Sequence, residues 1–318
     1  MSIKLKHSKR VKDAIKHSRP ILALESTIIA HGMPYPRNLA FALEAESLCE
    51  KAGAVPATIA IINGEVCVGL DRSKLKTIAT SSEIKKISFR ELGLATSLGW
   101  SGATTVSSTM HIAKNNNIDV FATGGIGGVH REIGQSLDIS QDLVALSNTP
   151  MIVVSAGAKS VLDLPKTLEA LETLGVCLVG FKTGEFPSFY SRKSGLRGLS
   201  VVRSAQEISN IFLNNQLLGL PGATLVANPI SREHEIPIKK MDSIINKTLE
   251  KLKKENIRGK LVTPFMLKNI LKESEGKSLE ANISLALNNV RLGAKIAKNL
   301  NKKKKQTRPS HQSFEQKP

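Results

Sequence analysis

Residues 119–160 read DVFATGGIGGVHREIGQSLDISQDLVALSNTPMIVVSAGAKS, and two short apolar runs within them each end in a turn of small and polar residues. VFAT enters GGIGGVHR, and MIVV enters SAGAKS. Apolar runs of this length bounded by glycine read as buried strands. The intervening DISQDLVALSN reads as a helix over 140–148, capped by Asp138 or Ser140. Two such strands joined through a helix predict a parallel pair, the unit of an α/β fold. Glycines let backbone N–H groups approach an anion closely. Lys159, just past a strand among Ser, Ala and Gly, is placed to act as a cation or as a nucleophile.

The pattern extends in both directions. ILALESTIIA (21–30) predicts a strand, and residues 37–52 a helix stopped by Gly53. TIAIING followed by EVCVGL (58–70) predicts a hairpin about Asn63-Gly64. CLVGFKT (177–183), LSVVRSA (199–205) and ATLVANP (223–229) are further strand candidates. Asp163 and Pro165 suit the start of a helix that Gly175 closes. From about Lys239 the chain reads as mostly helical. No internal repeat or Pro/Gly/Ser linker divides the chain. The reading is therefore α/β with a largely parallel sheet and a mostly helical C-terminal part: a basic N-terminal extension (1–18), one main domain (19–300) and a Lys-rich disordered tail (301–318).

Composition narrows the function classes. The net charge is +18, but Lys and Arg gather at 4–19, at 239–260 and in the tail, away from the segments that carry chemistry. Aromatics make up 4% of residues and do not interleave with the basic ones as strand-stacking surfaces require, so nucleic acid is not the expected partner. The three cysteines are scattered, which fits neither a disulfide framework nor a metal site and points to a reducing, cytoplasmic setting. No apolar run is long enough to span a membrane. The basic N-terminus lacks the apolar core of a secretory signal and has only weak features of a transit peptide.

Several residues are candidates for chemistry. Glu25 sits in an apolar strand, where a carboxylate is costly unless paired or used, and a proton held there would suit a general acid. A strand-end carboxylate paired with a base reads equally well, and for His31 beyond it a turn residue is an equal reading. GATTVSSTM (102–110) starts a helix with hydroxyls suited to phosphate, or simply caps it. GGIGG lacks the spacing of a dinucleotide fingerprint, and no acidic residue follows at the right distance. Asp138 and Asp142 around Ser140 suit an oxygen-loving divalent ion, or a helix cap. Lys86 alone reads as a surface lysine. Asn282 and Asn289, two turns apart on an apolar helix, read as substrate contacts or as satisfied core-edge amides.

Together LESTIIAHGMPYPRN, GAVPATIAIINGEVCVGL, SGATTVSSTM, VFATGGIGGVHR, DISQDL, VVSAGAKSVLDLP and SLEANISLALNN resemble the pseudouridine-5′-phosphate glycosidase family, which includes the indigoidine-synthesis A-type proteins. The resemblance runs over about residues 15–300. It implies a three-layer α/β/α sandwich, a homotrimer and a Mn²⁺-dependent lyase that reversibly splits pseudouridine 5′-phosphate into uracil and ribose 5-phosphate. By motif, Glu25 resembles the proton donor, Lys159 the nucleophile and Asp138 the metal ligand. Lys86, Val106, the tripeptide Ser140-Gln141-Asp142 and Asn282 match substrate-contact positions, and Thr123 and His130 are candidates for the phosphate. Gln141 departs from the family pattern, where a small residue is common, and the Lys-rich tail lies outside the resemblance. The alternatives are a binding or regulatory relative with a basic tail for RNA, and another imine-forming phosphosugar enzyme such as an aldolase or N-glycosidase.

Overall fold

The computed structural model describes residues 3–131, 137–255, 257 and 262–307. Its strands and helices follow one another as β1 (Leu5–His7), α1 (Lys9–Lys16), β2 (Ile21–Leu24), α2 (Thr27–Ala30), α3 (Arg37–Lys51), β3 (Val55–Ile62), β4 (Glu65–Val68), α4 (Arg72–Thr80), β5 (Lys85–Ile87), α5 (Leu92–Ser97), β6 (Gly102–Thr104) and α6 (Val106–Asn115). Then come β7 (Val120–Ala122), α7 (Gln141–Asn148), β8 (Ile152–Ser155), α8 (Leu164–Thr173), β9 (Cys177–Phe181), β10 (Ser200–Val202), α9 (Ala205–Leu217), β11 (Thr224–Ala227), α10 (Ile238–Lys254), α11 (Val262–Glu273) and α12 (Lys277–Thr307).

The strands form one sheet in the order β1-β4-β3-β2-β7-β8-β11-β9-β10, with β6 paired to β3 and β5 to β6. From β3 through β10 along this path every pairing is parallel. The antiparallel pairings are β3 with β4, the expected hairpin, and β3 with β6. The central strands are buried along their length, as parallel strands covered on both faces must be. Helix α12 crosses β2, β7 and β8 beside α3 and α9, while α6 packs with α7 against β2 and β3. The result is the three-layer α/β/α sandwich. Gly293 lets α12 press onto the sheet, since a Cβ there would come within 2.9 Å of Leu22 Cδ1 and 3.2 Å of Ala122 Cβ. One hydrophobic core includes residues from Val11 to Leu300.

Four local expectations change. The strand expected over 21–30 ends at Leu24, and Thr27–Ala30 is helical. An apolar β-branched run suits either state, and side-chain bonds decide between them. Ser26 Oγ donates to Ile59 O at 2.6 Å, and Thr27 Oγ1 donates to Thr104 O at 2.8 Å, turning the chain out of the ladder. Glu25 therefore stands at the end of β2 rather than inside a strand. Lys86 lies on β5, in register with Ala103 of β6, rather than in a surface stretch. Residues of the basic N-terminal segment join the fold: β1 runs parallel to β4, and Val11 and Ala14 of α1 are fully buried. The tail expected to be disordered from 301 is helical through Thr307, and residues 308–318 lie outside the described residues. Asn301 Nδ2 donates to Ser18 O at 2.9 Å and Lys304 Nζ to Asp119 Oδ2 at 2.6 Å, which holds the charged end of α12 to the body of the fold.

Candidate active site

The ends of three neighbouring parallel strands build the site. Leu24 is in register with Ala122, and Ala122 with Val154, so Glu25, Thr123 and Ser155 emerge side by side. Beyond the strands, the glycine turn and the SAGAKS turn continue to pair. Ala156 N donates to Gly124 O at 2.9 Å, Ile126 N to Gly157 O at 3.1 Å, and Lys159 N to Ile126 O at 3.0 Å. The two turns therefore act as one support, and Lys159 is fixed at its end.

Glu25 is buried, and Thr123 Oγ1 donates a short hydrogen bond to its Oε1. Burial pushes the Glu25 carboxyl above the usual carboxylate range; the positive Lys159, the Thr123 hydrogen bond and Lys86 pull it down, and the Asp142 charge pushes it up. Asp142, itself buried, accepts from Ser107 N at 3.0 Å and from Gly127 N at 2.8 Å. It thus fastens the start of α6, the glycine turn and α7 together. Gly127 is needed for this approach, because a Cβ there would fall within 2.8 Å of Asp142 Oδ2. Ser140 caps α7, its Oγ accepting from Asp142 N at 3.2 Å. Gln141 Oε1 accepts from Arg90 N at 3.4 Å.

Two cavities meet at these residues, one richer in polar lining than the other. The larger, of about 370 Å³, is polar and is lined by Lys86, Arg90, His130, Asp138, Ser140, Gln141 and Asp142, with Glu25 and Lys159. The smaller, of about 60 Å³, is lined by Ile28, Val161, Phe189 and Leu267, with His31 and Asn282. Glu25, Thr27, Lys86, Lys159 and Val161 belong to both walls. In the smaller cavity His31 Nε2 and Asn282 Oδ1 are buried and make no hydrogen bond within the protein. Buried polar groups are normally satisfied, so both atoms are available to a polar ligand. Burial lowers the affinity of His31 for a proton, and the Lys86 charge lowers it further.

Among the described residues no three His, Cys, Asp or Glu side chains gather into a metal cluster. Asp138 is half-exposed on the polar wall, with His130 Nε2 3.8 Å from its Oδ2. One carboxylate facing a polar cavity fits a hard divalent ion that keeps most of its waters. It does not fit a caged structural ion.

A family profile described as "Indigoidine synthase A like protein" matches residues 10–299. The chain belongs to this indigoidine synthase A-like family. Its relatives include the pseudouridine-5′-phosphate glycosidase of Staphylococcus aureus, 46% identical with 94% of this chain and 97% of the relative covered. The protein of the same name from Caldanaerobacter subterraneus subsp. tengcongensis is 49% identical, covering 93% and 96%. Among solved structures, the prealnumycin C-glycosynthase AlnA in complex with ribulose 5-phosphate superposes with a TM-score of 0.88 at 34% identity, covering 96% of this chain and all of that one. An indigoidine synthase A-like protein from Thermotoga maritima superposes with a TM-score of 0.86 at 33% identity, covering 94% and 97%.

In this member of the indigoidine synthase A-like family, most residues singled out from sequence come together. Glu25, Lys86, His130, Asp138, Ser140, Gln141, Asp142 and Lys159 line the polar cavity, and Asn282 lines the apolar one. Thr123 lies behind Glu25, its hydroxyl given to that carboxylate rather than to the polar cavity. The Val106 side chain is in the core, while its neighbours Thr105 and Ser107 line the polar wall. The two asparagines divide the two roles between them: Asn289 is a satisfied core group, donating to Thr123 O at 2.8 Å and accepting from Asn228 Nδ2 at 2.9 Å, whereas Asn282 faces a cavity with an unpaired oxygen. Sequence reasoning passed over Arg90 and Thr27 and left the role of His31 open. The proximity of Arg90 to Lys86 in KKISFREL was the available signal for the first.

Proposed function

We propose that the chain is a pseudouridine-5′-phosphate glycosidase that reversibly splits its substrate into uracil and ribose 5-phosphate. Relatives bearing that name are 46% and 49% identical over nearly the whole chain. The observation that carries the reading within this molecule is the junction of a polar and an apolar cavity at Glu25 and Lys159. A phosphosugar suits the first and a flat base the second, with the bond between them at the junction. That a structural neighbour was solved with ribulose 5-phosphate supports a phosphosugar in the polar cavity.

A C–C glycosidic bond offers no heteroatom leaving group, so paired-carboxylate hydrolysis is unsuited to it. Here the Lys159 amine attacks C1′ while Glu25 gives its proton to the ring oxygen, and the C1′–O4′ bond breaks. The Lys159 nitrogen, now bonded to C1′ and positively charged, gives one of its protons to the Glu25 carboxylate, which then delivers it to C5 of the base. The nitrogen lone pair expels uracil, leaving an iminium between Lys159 and C1′. Water adds to that carbon, and loss of the Lys159 amine gives ribose 5-phosphate. A carboxyl held above its usual range by burial can carry the proton through each transfer. Lys86 and Arg90 bind the phosphate end, and remote binding of this kind helps hold C1′ at Lys159. Asp138 would hold a hard divalent ion, Mn²⁺ in this reading, which when bound supplies charge neutralisation and orientation at the phosphosugar. His31 and Asn282 give hydrogen bonds to the base. The working enzyme is a cytoplasmic homotrimer in this reading.

Incubation with uracil, ribose 5-phosphate and Mn²⁺ tests the function: a C-nucleotide product is expected, and its absence alongside no cleavage of pseudouridine 5′-phosphate would overturn the reading. Borohydride should attach the sugar to Lys159, as read by peptide mass. Light scattering reports the trimer. RNA binding in place of turnover would favour a regulatory role, and N-nucleotide or aldol products would favour another imine-forming enzyme.

A further inference from the structure

The apolar cavity does not end at His31 and Asn282. A second space of about 200 Å³ adjoins it, and His31, Gly32, Leu267 and Asn282 line both. It lies between α11, the start of α12 and the turn after α2, and its other walls include Met33, Pro34, Tyr190, Leu271 and Leu279. These walls take no part in the polar cavity. Exposed Lys268 also lines this space.

Resting on the glycosidase reading, we propose that this space is an annex of the base site that accepts a substituent on a ring nitrogen of the leaving base, so that N-alkylated pseudouridine 5′-phosphates are substrates. The geometry of the base requires its far edge to point there. C5 carries the bond to C1′ and must lie at Glu25 and Lys159. The opposite edge of the ring, N1–C2–N3, then faces His31 and Asn282, the two residues at the mouth of the annex. An alkyl group on N1 or N3 continues past them against Met33, Leu271 and Leu279. Each methylene buried against such walls favours binding by up to about fourfold. Uracil itself needs none of this space, so the annex widens the range of bases without altering the chemistry at C1′.

The test compares pseudouridine 5′-phosphate with its N1-propyl and N3-propyl derivatives on the full chain with Mn²⁺, following release of the base by chromatography. For the native enzyme, at least one propyl compound should be cleaved with kcat/KM within about tenfold of the parent. Leu271→Trp fills the annex and should lower that value at least about tenfold while changing the parent by less than about twofold. Met33→Phe, on the opposite wall, provides a second variant should the first not fold. Cleavage of the parent with neither propyl compound accepted would overturn the annex and leave the glycosidase reading standing. Equal loss on parent and propyl substrate in the folded variants would also overturn it. Failure to cleave the parent at all would remove the glycosidase reading, and the annex with it.

Discussion

The polar cavity and the apolar cavity are separated by only a few side chains, yet they are built differently. The polar wall draws on strand ends and turns: Lys86 from β5, Asp138 and Ser140 ahead of α7, Lys159 after β8. Its groups are tied to one another and to backbone, as where Asp142 bridges α6 to the glycine turn. The apolar wall draws on helices α2, α11 and α12, and leaves His31 Nε2 and Asn282 Oδ1 without partners. The difference teaches where specificity resides. In the proposed reading, a preorganised, charged wall recognises the part of the substrate common to all phosphosugars, and a helical wall with unpaired polar atoms recognises the part that varies.

Substitutions can break this division, beginning at the junction. Lys159→Ala should lower kcat by on the order of 10⁵-fold, the scale of losing a nucleophile, and abolish borohydride trapping. A variant that still traps sugar would assign the attack elsewhere. Glu25→Gln should lower kcat about 10²–10⁴-fold. The same substitution carries a stability signature. Because the folded-state pKa of Glu25 is raised, both folded and unfolded chains hold the proton below the ordinary carboxylate range. As pH rises through that range the unfolded chain ionises first, and stability falls until the folded pKa is passed. Glu25→Gln should therefore melt increasingly above the native protein as pH is raised, and thermal scans across pH would show it; a constant difference would contradict the buried-acid picture.

Away from the junction the two walls should respond separately. Arg90→Ala removes a charged contact of the polar wall alone, so kcat/KM for the phosphorylated substrate should fall about 10–100-fold, with weaker salt dependence. The same substitution should leave binding of free uracil, measured by calorimetry, nearly unchanged. Asn282→Ala should do the reverse: about a 5–10-fold loss of uracil affinity with ribose 5-phosphate binding intact. A variant that weakens both ligands equally would mean that the cavities act as one.

Much of the polar wall was legible because strand ends followed by glycine carry a strong local pattern. GGIGGVHR and SAGAKS lie where apolar runs stop, and a parallel sheet brings such ends together. Glu25 was singled out by its cost in an apolar run, although the run itself turns into α2 two residues later. That turn depends on Ser26 and Thr27 bonding to β3 and β6, partners distant in sequence, so no local window contains it. The same limit hid the use of Thr123, whose hydroxyl pairs with a residue from another strand. Asn282 and Asn289 are chemically identical and share one helix. Only the bonds from Asn289 to the turn after β7 and to Asn228 distinguish the satisfied amide from the available one. Burial of α1 and the anchoring of Lys304 were concealed by charge, which in a short window reads as solvated chain.

Helix α12 spans 31 residues, about 46 Å at 1.5 Å per residue. It follows every other element of the site in chain order, yet it delivers Asn282 to the base cavity and props the Thr123–Gly124 backbone through Asn289. During synthesis Lys159 leaves the ribosome long before this helix does. The nascent chain thus carries Lys159 without the finished pocket, and the pocket is completed late, when the closing helix lies down on the sheet.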